Sequence, residues 1–180
     1  MIKVIDNFLT KDECQSLLNY SLNHLNLIRS KIIDDGESVI DTHRKSSVAF
    51  NNYENFKFLN KKVLDVVIEN VSVNGYELVF NERGYQFTSY NPGEYYNWHT
   101  DNSNDRYCSV VIQLNDDYEG GDLELVENGK VITFKRGVGN AVVFLSEMNH
   151  RVTEVLGGTR YSLVNWLKLK QLKDFKKSMI

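Results

Sequence analysis

Apolar residues recur along this 180-residue chain with two different periods, and the change-over falls near residue 75. Residues 2–9 read as a short strand leading into a helix. Thr10-Lys-Asp-Glu13 has the form of a capping box, in which a hydroxyl and a carboxylate each satisfy an end amide. Cys14, Leu17, Leu18, Leu22 and Leu25 follow at helical spacing, which predicts an amphipathic helix to about residue 27. Residues 29–45 are polar and contain Asp34-Asp35-Gly36, so they read as a loop, long enough to serve as a functional cover. A second helix is predicted from about Glu54 to Val73. Phe56, Leu59, Val63, Val66, Val67 and Asn70 trace its buried face, and Asn74-Gly75 is its stop signal.

From Glu77 the pattern turns to short strands, at 77–80, 84–90, 94–100, 106–114, 122–126, 130–134, 141–145, 149–155 and 159–167. Asn128-Gly129 is a strong hairpin signal and Gly157-Gly158 a fair one. Many short strands at this spacing predict a jelly-roll sandwich or barrel, mainly β with flanking helices, the two early helices packing on one outer face of a sheet. The last dozen residues read as a short helix or a frayed tail. No repeat, linker or low-complexity tract divides the chain. One domain over 1–180 is expected, with a helical part to about 75 and a jelly-roll core over about 76–167.

Composition narrows the function more than the fold. The net charge is −3, which gives no general attraction to phosphate backbones or anionic lipid, so nucleic acid and membrane are not expected as partners. The lysines at 168, 170, 173, 176 and 177 form a local run of the kind that usually marks a solvated face. Two cysteines, Cys14 and Cys108, cannot build a disulfide framework and read as buried thiols. With no leader-like or membrane-spanning run, a soluble cytoplasmic protein is expected.

Candidate chemistry centres on Tyr-Asn-Pro-Gly-Glu-Tyr-Tyr-Asn-Trp-His-Thr-Asp, residues 90–101. Residues two apart on an extended backbone share a face, so His99 and Asp101 would project an imidazole and a carboxylate side by side. Adding His150 completes a 2-His-1-carboxylate set, the ligand pattern of non-haem Fe(II) oxygenases, which leaves metal positions open for cosubstrate and O2. Arg160 is a permanent cation suited to fork onto the distal carboxylate of 2-oxoglutarate. It shares a strand face with Ser162, Val164 and Trp166. Gln113 lies on a face with Tyr107, Ser109 and Val111, and is either a core amide with partners or a second hydrogen bond to the cosubstrate. Each residue also has an ordinary reading: turn residues for His99 and Asp101, a surface histidine for His150, an edge-strand charge for Arg160. Tyr95, Tyr96 and Trp98 read as core or rim aromatics, and His24 and His43 as non-ligands. The functional case rests on conjunction and order.

Together these residues resemble the prolyl 4-hydroxylase-type branch of the 2-oxoglutarate/Fe(II) dioxygenases. The resemblance runs over most of the chain. It includes Ile-Asp-Asn-Phe-Leu-Thr-Lys-Asp-Glu-Cys at 5–14, Arg44-x-Ser46, Tyr90-x-x-Gly93, His99-x-Asp101, Gly120-Gly-Asp-Leu123 and Gly139-Asn-Ala-Val-Val-Phe144. Its most specific stretch is His150-Arg-Val-Thr-Glu-Val-x-Gly-Gly-Thr-Arg160-Tyr-Ser-Leu-Val-x-Trp166. It implies a double-stranded β-helix core, with Fe(II) on His99, Asp101 and His150 and Arg160 on the 2-oxoglutarate tail. It further implies Tyr90 hydrogen-bonded in the cosubstrate pocket, Trp166 lining the pocket near the metal, and Arg44 towards the substrate mouth. The segments 29–45 and 101–105 would close over a peptide. Gln113 is a departure, since close animal relatives carry a tyrosine there.

The implied activity is hydroxylation of an unactivated C–H, on a peptidyl proline as in procollagen-proline 4-dioxygenase, coupled to decarboxylation of 2-oxoglutarate to succinate and CO2. The implied cofactors are Fe(II), 2-oxoglutarate and O2, with ascorbate as reductant, and the implied partner is a proline-containing protein or peptide. The same chemistry on another residue or a small molecule is an alternative. A non-catalytic jelly-roll binding module is the rival from another class, and a nucleic-acid demethylase a weaker third.

Overall fold

Thr10 starts the first helix as its capping box predicts. Its hydroxyl accepts from the Glu13 N–H at 3.2 Å, and the Glu13 carboxylate accepts from the Thr10 N–H at 2.8 Å. The computed structural model describes residues 1–30, 42–103 and 105–172, with backbone alone at 32–34 and 37–39. In order, β1 (Ile2–Ile5) precedes α1 (Lys11–His24), β2 (Ile28–Arg29), β3 (Ile32–Asp34), β4 (Glu37–Val39), β5 (Arg44–Lys45) and β6 (Ser47–Asn51). A 3-10 turn at Tyr53–Phe56 leads into α2 (Lys57–Asn70), then β7 (Tyr76–Phe80), β8 (Tyr85–Tyr90), β9 (Tyr95–His99) and β10 (Arg106–Gln113). The chain continues through β11 (Glu119–Gly120), β12 (Leu123–Glu127), β13 (Lys130–Thr133), β14 (Ala141–Leu145), β15 (His150–Val152), β16 (Val155–Gly157) and β17 (Arg160–Gln171).

Two antiparallel sheets carry the fold. The larger runs β1-β14-β10-β17-β8-β6-β2, with β7 also on β17, and the smaller runs β13-β12-β15-β9-β5. Side chains alternate between two apolar layers, as a sheet covered on both faces requires. On β14, Ala141 and Val143 point to the helices, while Val142 and Phe144 point to the small sheet. On β17, Leu163 and Leu167 share the helix side with Cys108, Val110 and Ile112 of β10. Helix α2 contributes Leu59, Val63 and Val67, all fully buried, each stabilising the layer by about 1.5–3 kcal/mol. Both cysteines are buried free thiols. This is the double-stranded β-helix with helices on one outer face, and Asn128 and Gly129, both at positive φ, close the predicted β12–β13 hairpin.

Several boundaries differ from the sequence reading. Helix α1 stops at His24, where Leu25 turns extended and the chain leaves as β2; Ser21 is buried and Leu22 exposed. Helix α2 is three residues shorter at each end, its first turn being 3-10. The segment 29–45 is not simply a loop: β2 and β5 are built into the two sheets, and β6 follows directly. Its closing role falls partly on residues 31, 35–36 and 40–41, outside the described residues. Gly157-Gly158 does not close a hairpin, because β16 pairs with β11 and β17 with β10 and β8. Within the last dozen residues, Leu169–Gln171 extend β17 against β7, and 173–180 lie outside the described residues.

Gly139 pins the turn before β14 to the start of α1. Its carbonyl accepts from the Leu9 N–H at 3.0 Å, its φ is +81°, and an added Cβ would sit on the Leu9 carbonyl oxygen. Gly93 has the same φ with open space around it. Gly93→Ala should therefore cost about 1–2 kcal/mol of left-handed strain. Gly139→Ala should cost more than about 4 kcal/mol by adding a backbone clash, a difference that urea denaturation of the two variants measures.

Candidate metal centre

The pairing of β9 with β15 sets His99 directly opposite His150, and a bulge follows before Val152 meets Tyr96. Asp101 lies two residues beyond His99, past the end of β9, where its N–H donates to the Ser146 carbonyl at 2.7 Å. One donor atom from each of His99, Asp101 and His150 can be chosen so that all lie within 4.8 Å of one another. His99 Nε2 is 3.9 Å from Asp101 Oδ1 and His150 Nε2 is 3.5 Å from Asp101 Oδ2.

Each imidazole has its Nδ1 held against a backbone carbonyl, His99 on Asn97 at 2.7 Å and His150 on Met148 at 2.9 Å. A carbonyl can only accept, so Nδ1 carries the proton and Nε2 offers its lone pair to the centre. Burial, and then the neighbouring His150, push the His99 pKa down to about 3, which keeps the ring neutral. Burial alone would raise the Asp101 pKa. The two imidazoles, with Trp166 and Ser109 donating to the carboxylate, outweigh it and hold Asp101 below the usual carboxylate range. Both donors use Oδ2, each at 2.9 Å, which leaves Oδ1 free to ligate. Since Ser109 Oγ donates to Asp101, the Ser146 hydroxyl 2.9 Å away must donate to Ser109.

These side chains open on a cavity of about 680 Å³ between the sheets. Arg160, Ser162, Val164 and Trp166 line it from β17, the shared face that alternation predicts. Arg160 is 1% exposed; its Nη1 donates to Ser162 Oγ at 3.0 Å, while Nε and Nη2 are buried with no acceptor. Its guanidinium carbon lies 5.4 Å from the centre of the Tyr90 ring. A buried cation with two idle donors is costly and fits a carboxylate entering the cavity.

Arg44, Tyr90 and Trp166 all reach the cavity, and Gln113 does not. The turn at 137–140 claims that amide: the Gly137 N–H donates to Gln113 Oε1 at 3.1 Å, and the Gln113 backbone bonds to Gly139 and Asn140. These are the surroundings of a core amide. The metal-ligand cluster found among the described residues contains neither His24 nor His43, although the His43 ring lines the cavity. Sequence reasoning passed over the roles of Ser109, Tyr96 and Arg106. Tyr96 stacks on His99 with ring centroids 3.4 Å apart, and Arg106 lies 3.7 Å from the centre of the Trp166 ring. Burial, with Arg83 and Arg44 acting in the same direction, lowers the pKa of Arg106. Ser109 carried a signal: a lone hydroxyl in a buried apolar strand has to have a partner.

The sequence profile of the 2OG-Fe(II) oxygenase superfamily matches residues 85–168, the stretch that holds every one of these ligand candidates and Arg160. Over that stretch, a little under half of its length, the chain is similar to that superfamily. A PKHD-type hydroxylase of Crocosphaera subtropica is 26% identical to it, over 93% of this chain and 78% of its own length. One from Prochlorococcus marinus is 24% identical, over 74% of this chain and 65% of its own. A prolyl hydroxylase from Trichoplax adhaerens, solved with a hypoxia inducible factor peptide fragment, superposes with a TM-score of 0.75 at 23% identity, covering 93% of this chain and 83% of that one. A Pseudomonas putida prolyl-4-hydroxylase gives 0.69 at 24%, over 93% and 91%. These two likenesses establish the fold.

The oxygenases of this family use Fe(II), 2-oxoglutarate and O2. The structure fits both resident groups. Two imidazole nitrogens and one carboxylate oxygen gathered within 4.8 Å suit Fe(II) with open positions, and the Arg160 nitrogens without an acceptor suit a dicarboxylate. Without a ligand, Arg160 has no carboxylate partner among the described residues, its polar neighbours being the Ser162 and Tyr118 hydroxyls. Arg160→Met should therefore leave the apo protein between equally stable and about 2 kcal/mol more stable, read as its thermal midpoint without ligand. A clear fall would show that the guanidinium is already satisfied.

Proposed function

We propose that this chain is a 2-oxoglutarate-dependent dioxygenase hydroxylating an unactivated C–H, with a prolyl residue of a protein or peptide as its substrate. The observation that carries this reading is the orphaned Arg160 guanidinium in the cavity that also holds the two imidazoles and the carboxylate. Residues 1–180 act as one unit in this reading, because α1 and α2 share their apolar layer with the large sheet. When bound, Fe(II) with 2-oxoglutarate and O2 supplies the oxidation, with succinate and CO2 as coproducts.

The residues do the rest. His99, which burial keeps neutral, and His150 each have Nδ1–H fixed on a backbone carbonyl, which turns Nε2 towards the centre. Asp101 is oriented by Trp166 and Ser109 and turns Oδ1 inward. Arg160 forks onto the distal carboxylate of 2-oxoglutarate, with Tyr90 beside it. Val111, Leu123 and Val152 give the wall its apolar part and keep water from the reacting carbon. The Trichoplax neighbour's peptide partner, the prolyl-4-hydroxylase neighbour from Pseudomonas and the PKHD-type relatives support the prolyl substrate. The same chemistry on another residue or on a small molecule is the alternative reading.

Anaerobic titration with Fe(II) and then 2-oxoglutarate should raise a visible metal-to-ligand charge-transfer band. His150→Ala should abolish the band, and Arg160→Met should weaken 2-oxoglutarate affinity. Well-folded protein with no band would favour a binding module instead. Trp166→Phe removes one donor to Asp101 and should lower Fe(II) affinity about 10–100-fold. On the loaded enzyme, proline-containing peptides should gain one oxygen by mass; a gain on metabolites alone would redirect the substrate.

A further inference from the structure

Five of the chain's seven arginines line the one cavity: Arg29, Arg44, Arg83, Arg106 and Arg160. Among the described residues no lysine does, and Asp101 is the only carboxylate in the lining. For a chain of net charge −3 this is a strong segregation of cations. Arg29 is neutralised by Glu94, and Arg160 lies beside Ser162 and Tyr90. Arg44, Arg83 and Arg106 remain, with no carboxylate partner among the described residues.

Two of these cations are held in place by aromatic rings that also touch the metal candidates. Arg44 is 9% exposed, its Nε donates to Ser46 Oγ at 2.8 Å, and its guanidinium carbon lies 4.5 Å from the centre of the Tyr96 ring, which stacks on His99. Arg106 lies on Trp166, whose indole N–H donates to Asp101, and its Nε is buried without an acceptor. Each fixed guanidinium is thus one ring away from a metal ligand candidate, and a group bound there would sit next to the reacting carbon.

Resting on the reading above, we infer that the substrate presents a carboxylate adjacent to the carbon that is hydroxylated, and that Arg44 and Arg106 bind it, with Arg83 outside them. Planar guanidiniums already fixed by stacking match a carboxylate and lose little freedom on binding it. Exposed Ile28 and Phe50 on the same wall give the rest of a peptide an apolar rim. A nucleic-acid backbone fits less well, because its recurring charges call for a basic stripe across the surface instead of one recess.

The test uses the full chain with three proline peptides, in which the neighbouring residue is aspartate, asparagine or lysine, and with free proline. The aspartate peptide should exceed the asparagine one by about tenfold in kcat/KM, an advantage that salt erodes. Arg83→Glu and Arg44→Gln should each shrink that ratio towards unity. Fluorescence anisotropy of the labelled peptides on metal-free protein should show the same order. If free proline wins over all the peptides, the carboxylate assignment stands and its source is the substrate's own backbone. Equal binding of the three peptides with free proline no better than any of them overturns the inference, as does stronger competition by a single-stranded oligonucleotide than by the aspartate peptide. A charge-transfer band and succinate formation without charge preference would sink this inference alone. Absence of both would sink the oxygenase reading, and the binding measurement would still decide this one.

Discussion

Everything at the centre depends on one antiparallel register. His150 on β15 faces His99 on β9, and sliding either strand by one residue would turn an imidazole to the other side of the small sheet. The register is held from three directions. β15 is paired on its far edge by β12, where Leu125 sits opposite His150, and β12 is closed by the tight Asn128-Gly129 hairpin. The bulge in β9 absorbs the extra residue between Tyr96 and His99. Asp101 then crosses the gap between the sheets: its N–H reaches the Ser146 carbonyl at the end of β14, and its carboxylate is gripped by Ser109 of β10 and Trp166 of β17. The candidate ligands are therefore also the ties between the two sheets.

The two charged ends of the cavity are treated oppositely. Asp101 is buried, yet the Ser109 hydroxyl and the Trp166 indole N–H donate to its carboxylate and offset the cost of its charge. Arg160 is buried as deeply and leaves two nitrogens unused. A protein that only needed stability would fill that position with an apolar side chain, since a buried charge without a partner costs more than packing recovers. One end of the cavity is complete and the other is set for an incoming anion. That asymmetry agrees with the proposed reading, in which Arg160 would hold a carboxylate at the end of the cavity away from His99, Asp101 and His150.

Most of the fold was legible from period alone. The strands of the two sheets after residue 76 stand close to where alternation and turn residues put them, because residues that pack on two faces leave apolar runs such as Val142-Val143-Phe144. The capping box and the Asn-Gly turn are local chemistry and came through unchanged. What failed was the stretch 29–45, read as a loop. There β2 and β5 are two residues each, and the buried side chain of β5 is the cation Arg44, so neither strand carries a hydrophobic alternation. Gly157-Gly158 misled for a related reason: the same dipeptide that closes a hairpin also passes a chain from one sheet to another.

The site was legible where its residues break the local rule. Ser109, Gln113, Ser162 and Asn165 are all buried polar residues on otherwise apolar strands, and each needed a partner. Strand parity separates part of the set. Ser162 shares the parity of Arg160 and faces the cavity, whereas Asn165 has the opposite parity and reaches the Tyr53 hydroxyl on the helix side. Ser109 and Gln113 have one parity and different fates, since Ser109 meets Asp101 and Gln113 lies beyond the cavity under the 137–140 turn. Parity tells which face a side chain takes, and only the position of the crossing loops tells how far along that face the cavity extends. Arg106 lay beyond either signal, at the first residue of β10, where the register with β17 shifts. Its place on Trp166 follows from the same β17 alternation that brings Trp166 to Asp101, so the outer cation and the inner carboxylate are set by one strand.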